Sequence, residues 1–241
     1  MVKSNAVKGP TADRVREALS WLERRGTKRN RDGLARYGIF ATQVFGVSVA
    51  DIRQLAKRLG RDHDLAAALW ESGWYEARML TAFVDEPKLV TPGQMDRWAR
   101  DFDNWAICDT LCFHLFDRTP HTWRKIEQWS IRREEFVKRA GFALLASVAL
   151  HDKHAADAPF LRALPLIEQG ASDPRNFVKK AVSWALRGIG KRNGTLKAAA
   201  IGLARRLAQS PEPAERWVGK DALRDLTRPV KEKVRRRRNA S

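Results

Sequence analysis

Apolar residues along this chain return every three or four positions. Val15, Ala18, Leu19, Trp21 and Leu22 make one such stripe, and Ile52, Leu55, Ala56 and Leu59 make another, opened by Ser48. The spacing continues over 65–70, 77–84, 107–116, 136–150 and 177–189. This is the period of a helix that buries one face, and no stretch alternates as a strand would. Between the stripes stand residues that interrupt helices: Gly60, Gly73, Pro87, Pro92-Gly93, Pro120, Pro159, Gly170, Gly194 and Pro211. Asp173-Pro174 reads as a helix start, a capping carboxylate followed by a proline in the first turn. The pattern predicts an all-α protein.

The helices are also related to one another. Phe136-Val137-Lys138-Arg139-Ala140 returns 41 positions later as Phe177-Val178-Lys179-Lys180-Ala181, and Trp217-Val218-Gly219-Lys220 follows at a spacing of 40. A period in this range marks a solenoid of HEAT-like or armadillo-like repeats. The repeated cations predict a basic row along one face. The repeat also has a local departure: Ala143 in one copy corresponds to Trp184 in the next.

Charge then narrows the partner. The 241 residues carry 46 Lys+Arg against 28 Asp+Glu, a formal net charge of +18. With 44% hydrophobic residues the chain can bury a core, so it is not merely a disordered basic tail. A surplus this large points to a polyanion, nucleic acid before a membrane surface. Residues 228–238 account for +6 of the charge and leave +12 on the rest. The organisation expected is a loose leader at 1–10, one domain at 11–227 and a basic flexible tail at 228–241. No apolar run suggests a signal peptide or a membrane span, which points to the cytoplasm. Cys108 and Cys112, one helical turn apart, read as reduced packing residues. The nearby histidines His114 and His121 add no standard zinc spacing, so no metal and no cofactor is expected.

Two places could carry chemistry. On the helix after Asp173, Trp184 shares a face with Lys180, Arg187 and Lys191, while Val178, Val182, Ala185 and Ile189 supply the core side. An aromatic ring in a basic stripe can press on a nucleotide whose phosphates the cations hold; equally, Trp184 can pack on the next repeat beneath the basic stems. Further back, Trp105 and Asp109 project from one face, four residues apart. Asp109 is either an ordinary surface or ion-paired acid, or a negative charge placed in a cationic cleft because a reaction needs it.

Taken together, Ala35-Arg36-Tyr37, the Trp-x-x-x-Asp of Trp105 and Asp109, Lys138-Arg139-Ala140, and the run from Lys180 to Arg187 resemble the AlkD-type DNA alkylation-repair glycosylases. These pieces occur in the family's order over roughly residues 10–225. The resemblance implies a superhelix of HEAT-like repeats with a concave, basic DNA-binding face. It also implies hydrolysis of the N-glycosidic bond of N3- and N7-alkylated purines in duplex DNA, by a monomer, with no flipped base buried in a pocket. Carried over residue by residue, Asp109 stabilises the sugar cation and positions water. Trp105 and Trp184 hold the lesion nucleotide, Tyr37 completes the aromatic cleft, and Arg139 grips a phosphate. Lys180 and Arg187 are added as DNA ligands from the helix-face argument, not from the family. Asn104 stands where some members have a second tryptophan, so one wall of the cleft is expected to differ. The alternatives are a non-catalytic nucleic-acid-binding solenoid and a protein-interaction scaffold.

Overall fold

The computed structural model describes residues 10–228, so the expected leader and basic tail lie outside the described residues except at Pro10 and Arg228. Among the described residues there are thirteen α-helices and no strand. They are α1 (Thr11–Arg25), α2 (Lys28–Leu34), α3 (Val49–Leu59), α4 (His63–Glu71), α5 (Tyr75–Val84), α6 (Pro92–Arg100) and α7 (Trp105–His114). There follow α8 (Thr122–Ser130), α9 (Glu135–His151), α10 (Asp157–Ala171), α11 (Asn176–Gly190), α12 (Gly194–Ala208) and α13 (Pro213–Leu226).

Capping side chains set many of the starts. Ser48 accepts from the Asp51 N–H, Asp62 from Leu65, Thr91 from Gln94 and Asn193 from Leu196, each filling a backbone donor that the helix leaves open. The breaks at Gly60 and Gly73 fall where φ is +71° and +75°, a conformation glycine adopts without a Cβ clash.

Some expected breaks fall within helix bounds, at a start or inside. Pro159 lies in the first turn of α10, where its missing N–H costs nothing. Gly194 is the first residue of α12, and Asn193 caps it. Gly170 lies inside α10, and a Cβ there would stand 2.3 Å from Cζ of the buried Phe142 ring. The glycine is present for close approach of α10 to α9, which sequence spacing cannot distinguish from termination.

Asp173 does not cap α11 either, because that helix begins at Asn176. Its carboxylate instead accepts from the Arg175 backbone N–H at 3.1 Å and pairs with Arg175 at 2.6 Å and Lys138 of α9 at 3.0 Å. The Arg175 hydrogen bond, with Lys138 assisting against burial, holds the Asp173 carboxyl well below the usual carboxylate range.

The helices form two rows. In one, α5, α7, α9, α11 and α13 each pack on the next. In the other, α8, α10 and α12 lie behind α9, α11 and α13. The middle helix α9 is buried on nearly all sides: every residue from Arg139 to Ala149 is out of water. The predicted core side of α11 (Val178, Val182, Ala185 and Ile189) is fully buried. Two-layer stacking of this kind buries apolar faces that a single repeat could not bury alone.

Candidate functional site

Helix α7 places the site. Asn104, itself buried, accepts at 3.0 Å from the N–H groups of both Ala106 and Ile107 and so begins the helix. The expected departure at this position is therefore not a cleft wall: Asn104 faces the helix end. From that start, Ile107, Cys108, Leu111 and Cys112 point into the core, and Trp105, Asp109 and Phe113 form the half-buried opposite side at i, i+4 and i+8.

The two cysteines are free and buried. Their Sγ atoms reach the carbonyls of Phe136 and Ala140 at 3.6 Å, so α7 lies directly on the backbone of α9. Burial pushes the Cys112 thiol well above its usual value, which keeps it the neutral S–H donor this contact needs. Small side chains at this contact bring Asp109 against Arg139.

Arg139 donates from Nε to Asp109 Oδ1 at 2.9 Å and from Nη2 to Oδ2 at 2.7 Å, a two-pronged pair. Its Nη1 donates to the Phe177 carbonyl at 2.7 Å, tying α11 into the same point. The side chains are 8% and 16% exposed. Burial raises the Asp109 carboxyl above its ordinary value, and the charge and hydrogen bonds of Arg139 pull against that rise. Burial also works against the Arg139 charge, but Asp109 outweighs it and raises the guanidinium further. The expectation that Arg139 grips a phosphate meets a competing use: each of its three nitrogens already donates one hydrogen bond within the protein, which leaves two of its five N–H groups. Arg139 is first the holder of Asp109.

On the side of Trp105, the chain returns from the N-terminal helices. Trp105 Nε1 donates to the Tyr37 carbonyl at 2.8 Å. The next residue, Gly38, has φ +70°, and a Cβ there would come within 3.2 Å of the Phe177 ring. Glycine thus lets the turn settle between α7 and α11 while the Tyr37 side chain stays outside; the residue is 67% exposed. A hollow of about 530 Å³ opens here, lined by Arg36, Tyr37, Trp105, Arg139, Phe177 and Lys180.

Trp184 faces a second hollow. Its ring stacks on Phe113, with centroids 4.7 Å apart and planes within 7°. Beyond it lies a space of about 560 Å³ to which Lys180, Trp184, Arg187, Lys191 and Trp217 all contribute. The shared face predicted for α11 is therefore present, and Trp184 packs on Phe113 of the earlier helix α7 and not on the next repeat, while it also lines an open basic space. Arg139 and Lys180 border both hollows. The cations are not equally available: Arg187 lies 3.8 Å from Asp221 and Lys191 2.6 Å from Asp225. Lys180 is exposed and, among the described residues, pairs with no acid.

Sequence reasoning missed Phe113 and Trp217. Phe113 was available as the next turn after Asp109 on the same face, and Trp217 as the repeat counterpart of Phe177. His151, the last residue of α9, does more than complement that helix end. It contacts Asp117 at 2.5 Å and lies edge-on to Phe113 at 5.6 Å. His114 is held neutral, its pKa pushed down to about 4 by burial and by the charges of Arg53 and Arg118. Among the described residues, no group of three or more His, Cys, Asp or Glu side chains could hold a metal. No described helix is long and apolar enough to cross a membrane.

Comparison with known proteins bears on both the family and the fold. Residues 18–226 match the family described as "DNA alkylation repair enzyme". A solved structure from "a new family of proteins related to the HEAT-like repeat DNA glycosylases with affinity for branched DNA structures" superposes with a TM-score of 0.71. That match covers 87% of this chain and 94% of the other at 17% identity, so it shows the fold alone. No curated protein matches the sequence.

Proposed function

Because this chain belongs to the DNA alkylation repair enzyme family, we propose that it is a monofunctional DNA glycosylase that releases N3- and N7-alkylated purines from duplex DNA. A purine alkylated at these positions already carries positive charge and leaves without a general acid. The demand falls on the sugar, which becomes oxocarbenium-like as the bond to the base breaks. A fixed carboxylate beside it meets that charge as it develops and orients the attacking water.

The observation that carries this reading is Asp109, a carboxylate still 16% exposed and on one helix face with Trp105 and Phe113. Each of its oxygens accepts one hydrogen bond from Arg139, and a carboxylate oxygen has room for a second partner. Arg139 fixes its orientation. Trp105, from the first hollow, and Trp184, from the near wall of the second, hold the sugar and backbone of the lesion nucleotide, and Tyr37 borders it on the α7 side. Lys180 and Arg187 meet flanking phosphates. Residues 11–227 form the catalytic domain, acting as a cytoplasmic monomer, and the chemistry requires no cofactor.

Base release settles the activity. Wild type should free 7-methylguanine or 3-methyladenine from methylated duplex DNA, and Asp109→Asn should lose that release. Equal release by both proteins would remove Asp109 from the mechanism. No release by wild type would remove the glycosylase reading.

One observation favours a second reading, a DNA-binding repeat protein without chemistry: the positive charge of Arg139 lies directly on Asp109 and offsets its field at the sugar. That reading expects salt-sensitive DNA binding and no base release from any lesion.

A further inference from the structure

The two hollows are related by the repeat. The one beside Trp105 is bordered by Arg139, Phe177 and Lys180. Advancing Arg139 by 41 residues gives Lys180, and advancing Phe177 by 40 gives Trp217; both border the hollow across α9, α11 and α13. The basic-aromatic arrangement that includes Arg139, the partner of Asp109, is thus followed, one helix further along the row, by another arrangement of the same kind.

The second hollow has the makings of a base site as well as of a phosphate site. Its floor is small and apolar, with Ala146, Ala149 and Gly188 beneath and Leu150 at the edge, 52% exposed. Trp217 is half-buried and has Lys179 Nζ 5.1 Å from its ring centre. The acid that borders the hollow, Asp221, is already engaged: Ser183 Oγ donates to it at 2.6 Å, and Arg187 and Arg224 lie against it. Two exposed cations, Lys153 and Lys180, have no acidic partner among the described residues. A site meant only for phosphates would need the lysines and not small apolar residues beside the Trp217 indole.

We propose that this hollow is a second nucleotide site, which takes one unstacked nucleotide of the bound DNA with its base against Trp217 and its phosphate at Lys153 and Lys180. The inference rests on the DNA-binding part of the reading above, not on base release. Neighbouring packed helices lie about 8–10 Å apart and stacked nucleotides about 3.4 Å apart. For a strand that follows the row of helices, the site lies about two to three nucleotides from the one beside Asp109.

The test uses the full chain and two duplex oligonucleotides, one fully paired and one identical but for a single unpaired 2-aminopurine. Wild type is expected to bind the second more tightly and to quench its fluorescence by stacking. One base on an aromatic ring corresponds to about 5–150-fold in affinity. Trp217→Ala should bring the preference to within about twofold of unity by removing that stack, and Trp217→Phe should restore most of it. Lys153→Ala, a change at an exposed side chain, should lower the preference without a folding risk. A wild-type preference near one, or a preference kept by Trp217→Ala and Lys153→Ala alike, overturns the second site. Failure of wild type to bind either duplex at moderate salt overturns the DNA-binding reading and the site with it. A preserved preference in a protein that releases no base overturns the glycosylase reading alone.

Discussion

Replacing Arg139 with alanine separates two roles that this residue could have. The substitution deletes two hydrogen bonds to Asp109 and one to the Phe177 carbonyl. With side chains only 8% and 16% exposed, little water can replace them, and the carboxylate is left out of solvent without its counter-charge. Removing one partner of a buried ion pair costs about 3–5 kcal/mol. At about 2–4 °C per kcal/mol for a domain of this size, the melting temperature should fall by about 6–20 °C. Asp109→Asn added to Arg139→Ala removes the stranded charge, so the double variant should be more stable than the sum of the two single changes by about 1–3 kcal/mol. Thermal unfolding followed by circular dichroism at neutral pH measures both quantities. DNA affinity across a salt series, taken well below the melting point, supplies the second arm. A holder of Asp109 leaves the salt slope unchanged, whereas each lost phosphate contact lowers it by about 0.9. A melting loss below about 2 °C together with a slope change near 0.9 would refute the assignment and return Arg139 to the phosphates.

The other predictions can be checked on the same material. Asp109 must be ionised to stabilise a sugar cation, and burial raises its pKa above the ordinary value of about 3.9; base release should therefore decline as pH falls, with its acid limb above that value. A single-turnover pH profile with its midpoint at or below the ordinary value would contradict the burial argument. Asn104→Ala removes the acceptor for two N–H groups at the start of α7 and should cost about 1–2 kcal/mol in denaturant unfolding, against a few tenths for Asn104→Gly. Lys180→Ala should lower the salt slope of duplex binding by about 0.9 without changing the melting temperature, because its side chain is exposed and unpaired among the described residues.

Much of the fold was legible because helices are local objects. The 3.6-residue stripe of Val178, Val182, Ala185 and Ile189 identifies the buried side of α11 without reference to any other helix, and all four are fully buried. The joint presence of Lys180, Trp184, Arg187 and Lys191 at one hollow follows from the same periodicity. Readings that depended on a neighbour were less secure. Gly170 and Pro159 look like interruptions in the sequence, yet one admits the Phe142 ring and the other lies in a helix's first turn. Asp173 looks like a cap, yet Lys138 and Arg175 claim its carboxylate.

The sequence by itself determined an all-α repeat protein, its cationic surplus, and a carboxylate one turn from an indole on a single helix face. Each of these depends on spacing along the chain or on summed charge, which survive any arrangement of the helices. Only the tertiary structure decided what Arg139 holds, that Trp184 lies flat on Phe113, and that two hollows share Arg139 and Lys180 as their border. Asp109 and Arg139 are thirty residues apart and meet because Cys108 and Cys112 let α7 lie on the backbone of α9. Contacts of that kind are fixed by how closely two helices approach, and that distance is set by packing across the interface, not by either helix alone.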